Sequence, residues 1–159
     1  MLDELKNTVL FRRLSPASWK ALQTAVEVMD LSTNTVVITA GAAGDSLYFI
    51  AEGSVLLQIP DQSGEIPLLV LGRGEYFGEL SILQPGPRLL SAKTADNTKL
   101  VRLTAARLEV LRQSAPAAHW EFVQTLLKLH SIKARMTAGF TVKEITALAT
   151  AGRIGPAVA

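Results

Sequence analysis

Cysteine is absent from the 159-residue chain. That excludes disulfides, thiolate zinc sites, cysteine-ligated iron–sulfur clusters and thiol nucleophiles. Histidine is scarce: His119 and His130 are the only two. On a single helix that spacing is about 16 Å at about 1.5 Å per residue, too far for one ion. No metal site is expected, and the strand-borne ligand sets of cupin-type enzymes are missing. No Ser-His-Asp arrangement or phosphate-loop lysine pattern stands out, so nothing reads as catalytic. No apolar run approaches the roughly 20 residues that span a bilayer. The opening MLDELKNTVLFRRL carries acids early and lacks a continuous apolar core, unlike a secretory signal. The expected compartment is therefore cytoplasmic, with no membrane partner. Charge of one sign is lacking too. Sixteen Lys and Arg against fourteen Asp and Glu leave a formal net charge of +2, too little for an electrostatic footprint on nucleic acid.

What is present is apolar and evenly mixed. Hydrophobic residues make up 48% and charged residues 19%, a globular composition for one domain with a real core. Leu2 to Leu14 has a short amphipathic pattern. Ser15-Pro16 then predicts a helix start, with Ser as cap and Pro in the first turn. Trp19, Leu22, Ala25 and Val26 follow at helical spacing. From Val26 to Leu103 the runs become short and β-branched, broken by Gly, Pro, Asn and Asp. They predict strands at Val26–Leu31, Val36–Ile38, Leu47–Ala51, Val55–Ile59, Leu68–Leu71, Leu90–Thr94 and Lys99–Leu103. So many short strands predict a mainly β core, a barrel, roll or sandwich, with flanking helices. Thr104 predicts a helix cap. A long helix is expected over Ala117–Ala138, with Phe122, Leu126, Leu129, Ile132 and Met136 on one broad face. Gly139 ends it, and Thr141 with Glu144 predicts a short last helix before a frayed tail.

The most informative stretch is Phe77 to Thr94, FGELSILQPGPRLLSAKT. Gly78 permits close approach of a backbone amide to a ligand. Glu79 can accept a hydrogen bond from a sugar hydroxyl. Glu79 to Leu83 suits about one helical turn, whose free amides favour an anion. QPGP, residues 84–87, predicts a loop. Arg88 follows with a planar, permanently charged fork suited to phosphate. Read alone, it is a loop arginine in solvent, whose removal would barely change the stability of the empty domain. Ser81 reads equally as a small packing residue.

Phe77, Gly78, Glu79, Ser81, Pro87, Arg88 and Ser91 stand in the register of a phosphate-binding cassette. The chain resembles the cyclic-nucleotide-binding domain family, of the catabolite activator protein and protein kinase A regulatory subunit type. A second segment supports the resemblance: Gly41, Gly44, Asp45, the strand Leu47 to Ile50, and Gly53. These glycines are expected to turn corners with no chemical role. The resemblance covers nearly the whole chain. It implies an antiparallel β-roll, jelly-roll-like, with N-terminal helices and a long C-terminal helix. The implied layout is a binding domain over residues 1–138 with that helix, then a short helix and tail over 139–159.

The same resemblance implies a regulatory sensor that is not an enzyme and needs no cofactor beyond its ligand, cyclic AMP more than cyclic GMP. Its ligand-binding residues would be Gly78, Glu79, Leu80, Ser81, Arg88, Leu89 and Leu90, with Arg88 and the amides of Leu80, Leu89 and Leu90 on the phosphate. Leu89 and Leu90 depart from the family's small residues. As the start of a strand they would face opposite ways, one into the core and one into the pocket or solvent. If a leucine fills the site, the fold is a degenerate one that serves protein contacts. The long helix would cap the base, with Trp120 or Phe122 as stacking surface. It would also pair with its mate in a homodimer, with Phe122, Leu126 and Leu129 at the seam. Bacterial transcription regulators of this type carry a DNA-binding helix-turn-helix after that helix. Here about twenty Ala/Gly-rich residues follow, so no DNA binding by this chain alone is expected, though it would suit the sensor part of such a regulator.

Overall fold

A computed structural model describes residues 5–62 and 64–132. A single 3-10 turn, Phe11–Arg13, precedes helix α1, Pro16–Gln23. Ser15 caps α1: its hydroxyl accepts from the Ser18 amide, and Pro16 occupies the first turn, where its missing N–H costs nothing. Among the described residues ten strands then alternate with short connections: β1 Glu27–Leu31, β2 Val36–Ile38, β3 Ala43–Gly44, β4 Ser46–Glu52, β5 Val55–Asp61, β6 Gly64–Leu71, β7 Tyr76–Phe77, β8 Gly86–Pro87, β9 Ser91–Thr94 and β10 Thr98–Thr104. Helix α2, Glu79–Leu83, lies between β7 and β8, and α3, Ala105–Ser114, follows β10. Thr104 caps α3 by accepting from the Arg107 amide. Residues 116–132 are helical. The expected helix end at Gly139, the Thr141–Glu144 cap, Met136 and the 139–159 tail lie outside the described residues.

The strands form two four-stranded antiparallel sheets, β1-β10-β4-β7 and β2-β9-β5-β6, with β3 and β8 as a small separate pair. The expected antiparallel β-roll with flanking helices is the observed fold. Strand β4 shows why. Its run SLYFIA is buried on both faces, and successive side chains point to opposite sides. Tyr48 and Ile50 join Ile38, Val55, Leu71, Phe77, Ala92 and Leu100 between the sheets. Leu47, Phe49 and Ala51 turn the other way, onto Phe11, Trp19, Leu22, Phe122 and Leu126 of the helical layer. The β1-β10-β4-β7 sheet is thus the middle layer of three.

Three local expectations are corrected. Gly86–Pro87 is no free loop, because it pairs with Ala43–Gly44. Proline at a strand edge needs no donor, so QPGP tolerates this two-residue ladder. Strand β6 begins at Gly64, well before Leu68. Pro67 disguises it in the sequence, and a register shift between Leu57 and Gln58 absorbs that proline opposite Gln58. Strand β9 begins at Ser91, which leaves Leu89 and Leu90 in the preceding bend.

The helix at 116–132 is spent differently from expectation. Phe122, Leu126 and Leu129 are buried in the chain's own core. They cannot form a seam with a second copy, and Phe122, at 0% exposure, cannot stack on a base. The exposed apolar residues of this helix are instead Trp120, at 61%, with Leu127 and Ile132, each at 47%, so Ile132 does not share the burial of the stripe on which it was expected.

Candidate functional site

The site assembles where the turn into α2, the β3–β8 pair and the first residue of β4 meet. Gly78 is the residue before α2 and has φ +80°, a left-handed conformation that most side chains resist. A Cβ there would also lie 2.7 Å from Nη1 of Arg88 and 2.8 Å from the Ser46 carbonyl oxygen. The glycine is therefore doubly required, for its backbone angle and for the guanidinium lying against it.

Arg88 is only 8% exposed, contrary to the solvent-facing loop arginine expected of the empty domain. Its backbone is clamped: the Arg88 amide donates to the Ala42 carbonyl at 2.8 Å, and the Gly41 amide donates to the Arg88 carbonyl at 2.8 Å. These bonds continue the β3–β8 pair past Pro87. The side chain runs over Gly44, where a Cβ would stand 2.3 Å from Nε. Nη2 then donates to the Ser46 carbonyl at 2.9 Å, and Nη1 to the Gly78 carbonyl at 3.4 Å. The Cζ atom lies 5.9 Å from the Tyr48 ring centroid, within cation–π range. Burial is the largest influence on this guanidinium and pushes its pKa down. Tyr48 and Asp45 oppose that push, and Arg102 adds to it. The group stays cationic, since arginine starts so far above neutrality. Two carbonyls use part of its five-donor fork, and the guanidinium remains a fixed positive charge in a largely dry setting.

The Ser46 carbonyl is itself held in place. The Ser46 hydroxyl donates to Asp45 Oδ1 at 2.6 Å and accepts from Arg102 Nε at 3.0 Å. Arg102 Nη2 lies 3.7 Å from Asp45 and Nη1 3.5 Å from Glu27. None of Gly44, Ser46, Tyr48 or Arg102 was singled out as a site residue from sequence. Gly44 was assigned to a corner, but it is a close-approach position beneath Arg88. The Gly41, Gly44 and Asp45 spacing was a usable signal; the side-chain partners left none.

Glu79 opens α2, where a carboxylate is favoured by the helix dipole. Its Oε1 lies 3.3 Å from Nδ1 of His130 on the helix at 116–132. That is an ion-pair distance without hydrogen-bond alignment. Tyr76 stands close enough that its phenol is pushed up to about 12, mainly by burial and then by the Glu79 charge. Ser81 is buried, with its hydroxyl 2.7 Å from where a Gly44 Cβ would sit. That position is the packing role read for it. Leu80 is exposed, Leu89 is 71% exposed, and Leu90 is half-buried. Neither leucine of the pair enters the core, because neither lies in the strand. The structure thus brings Gly78, Glu79, Ser81 and Arg88 together around α2, with the exposed Leu80 and Leu89 at the margin.

Among the described residues no helix is long and apolar enough to cross a membrane. Residues 28–115 match the family described as cyclic nucleotide-binding domain. The chain is 34% identical over 99 residues to a cAMP-dependent protein kinase regulatory subunit of Mycosarcoma maydis, covering 62% of this chain and 19% of that protein. It is 30% identical over 139 residues to a CRP-like cAMP-activated global transcriptional regulator of Mycobacterium tuberculosis, covering 86% of this chain and 60% of that protein. The chain therefore spans less than two thirds of either relative. Among solved structures, the Thermus thermophilus catabolite activator protein superposes with a TM-score of 0.75 at 26% identity, over 87% of this chain and 63% of that one.

Proposed function

The chain belongs to the cyclic nucleotide-binding domain family, and from that premise we propose that it is a ligand-sensing regulatory module, not an enzyme, which binds cyclic AMP in preference to cyclic GMP. The observation that carries this reading is Arg88: a buried cation whose backbone is held by Ala42 and Gly41 and whose guanidinium is held by the Ser46 and Gly78 carbonyls. A preorganised donor of this kind binds phosphate without a reorganisation cost. The cyclic phosphate would sit on the Arg88 fork and the amides of Leu80, Leu89 and Leu90. Glu79 would accept from the ribose 2′-hydroxyl beside Gly78, and Ser81 would support α2 from beneath. The relatives named as cAMP-dependent and cAMP-activated support cyclic AMP as the ligand. The exposure of Leu89 favours binding over a plugged, degenerate site.

Ligand contact would order the segment around α2 and shift the helix at 116–132. Such a shift works only if the ligand binds one helix position better than another. A homodimer through the exposed Trp120–Leu127 face of that helix is part of the same proposal.

Calorimetric titration of wild type, Arg88→Ala and Arg88→Lys with cyclic AMP tests the assignment. Loss of the charged partner should cost roughly 2–5 kcal/mol of binding, on the order of 30- to several-thousand-fold. The lysine variant should also be weaker, since a point charge cannot reproduce the fork. Equal affinity in Arg88→Ala would falsify the assignment. The empty Arg88→Ala domain should also lose stability, because it strands the Ser46 carbonyl and vacates packed space.

A further inference from the structure

His130 is the one side chain identified above that reaches the cassette carboxylate from the helical layer. It stands on the helix at 116–132, next to Leu129 of the core. Its Nδ1 is buried and makes no hydrogen bond, yet it lies 3.3 Å from Glu79 Oε1. A buried ring nitrogen without a bond is costly. The carboxylate beside it is mostly covered, at 17% side-chain exposure. A small rotation of either group turns this near-contact into a charge-assisted hydrogen bond.

We infer that His130 is a positioning residue that couples docking of the 116–132 helix to occupation of the site through Glu79. This rests on the reading of Glu79 as the ribose acceptor. A carboxylate has about four lone-pair sites on two oxygens. It can therefore accept from a ribose hydroxyl and from Nδ1–H of His130 at once. Nucleotide fixes the carboxylate on its ribose, and the fixed carboxylate aligns with the imidazole. The helix then docks more firmly when the site is full. By linkage, a docked helix tightens nucleotide binding by the same factor. The inference names the link between site and helix, where the proposed function says only that the helix responds.

Four forms of the 159-residue chain test it: wild type, His130→Leu, His130→Asn and Glu79→Gln, with the Glu79→Gln/His130→Leu double variant closing the cycle. Leucine keeps bulk and removes the donor, while asparagine restores an amide near the place of Nδ1. Each is titrated with cyclic AMP and followed by amide hydrogen exchange over residues 116–132. His130→Leu should bind roughly 2- to 5-fold more weakly, the discounted size of a partly exposed charged contact. His130→Asn should recover most of the loss. The double variant should bind no worse than Glu79→Gln alone. In wild type cyclic AMP should add protection to the helix, and in saturated His130→Leu that increment should disappear. A merely structural role for His130 would not remove it. Wild-type affinity and a retained increment in His130→Leu, or losses that multiply in the double variant, overturn this inference alone. A wild type that takes up no cyclic nucleotide overturns the proposed function, and this inference with it.

Discussion

Alanine at Gly44 tests whether close packing, and not hydrogen bonding alone, aims Arg88. The added Cβ would lie 2.3 Å from Arg88 Nε, 2.6 Å from Arg88 Cδ and 2.7 Å from Ser81 Oγ. Favourable contacts between such atoms begin near about 3.5 Å, so something must move by about 1 Å. Ser81 is buried within α2 and has little room. Nε and Cδ belong to the middle of the arginine, behind a backbone clamped to Ala42 and Gly41. The guanidinium must therefore swing off the Ser46 carbonyl. Overpacking of this kind costs about 1–3 kcal/mol. If that cost appears in binding, cyclic AMP affinity falls about 5- to 150-fold. Gly41→Ala is the control. Nothing lies within 4 Å of its added Cβ, but φ is +80°, so it should lose about 1–2 kcal/mol of stability to backbone strain and leave Arg88 in place. Denaturant unfolding and calorimetry on both variants separate the effects. Gly44→Ala binding cyclic AMP as well as Gly41→Ala does would refute the packing argument.

Three further outcomes are expected. Wild type and Leu89→Ala/Leu90→Ala should both bind cyclic AMP, and wild type should prefer it over cyclic GMP. Leu89, directly after Arg88, has no hydroxyl to meet a guanine amino group, and an unpartnered buried donor costs roughly 1–3 kcal/mol; binding by the double variant alone would mean that leucine plugs the site. Asp96 accepts from the Ser54 amide and hydroxyl and from the Thr98 hydroxyl, and these bonds, the backbone one first, hold its pKa below 3.8. Its stabilisation is present above the unfolded value and is lost as pH falls through the lower folded value, so Asp96→Asn should flatten the acid limb of a stability–pH curve below about pH 4; an unchanged limb would count against this. Sedimentation should show a dimer that Trp120→Ala/Leu127→Ala converts to monomer, and a wild type that sediments as monomer with and without nucleotide ends that part of the proposal.

The strands were legible because burial leaves short apolar runs in the sequence. LYFI at 47–50 reads as a short apolar strand, and the structure makes it the shared wall of both cores. Ser15-Pro16 and Thr104 mark helix starts because an orphan amide needs a side-chain oxygen, and both caps form. What stayed hidden was pairing that spans distance. Nothing local says that Gly86-Pro87 meets Ala43-Gly44, because the pair has no alternation and a proline. The apolar stripe Phe122, Leu126 and Leu129 was visible, but a stripe does not name its partner. Here the β-roll of the same chain claims it, and the face carrying Trp120 is the exposed one.

The site shows the same division at atomic scale. Arg88 was legible from its place in FGELSILQPGPR, a pattern that fixes register along the chain. Its burial was not, because burial comes from groups brought in across the fold: the Ser46 carbonyl, the Tyr48 ring and the bare Cα of Gly44. Two of these three contacts use a backbone atom or a missing side chain, which no residue-type argument detects. Glycine is the extreme case, since it contributes to the site by what it lacks. The sequence shows Gly41 and Gly44 as like members of one spacing. The structure separates them: one supplies a backbone angle, the other supplies space for a cation. If nucleotide affinity follows Gly44 and stability follows Gly41, the cation's place is set by packing before any ligand arrives.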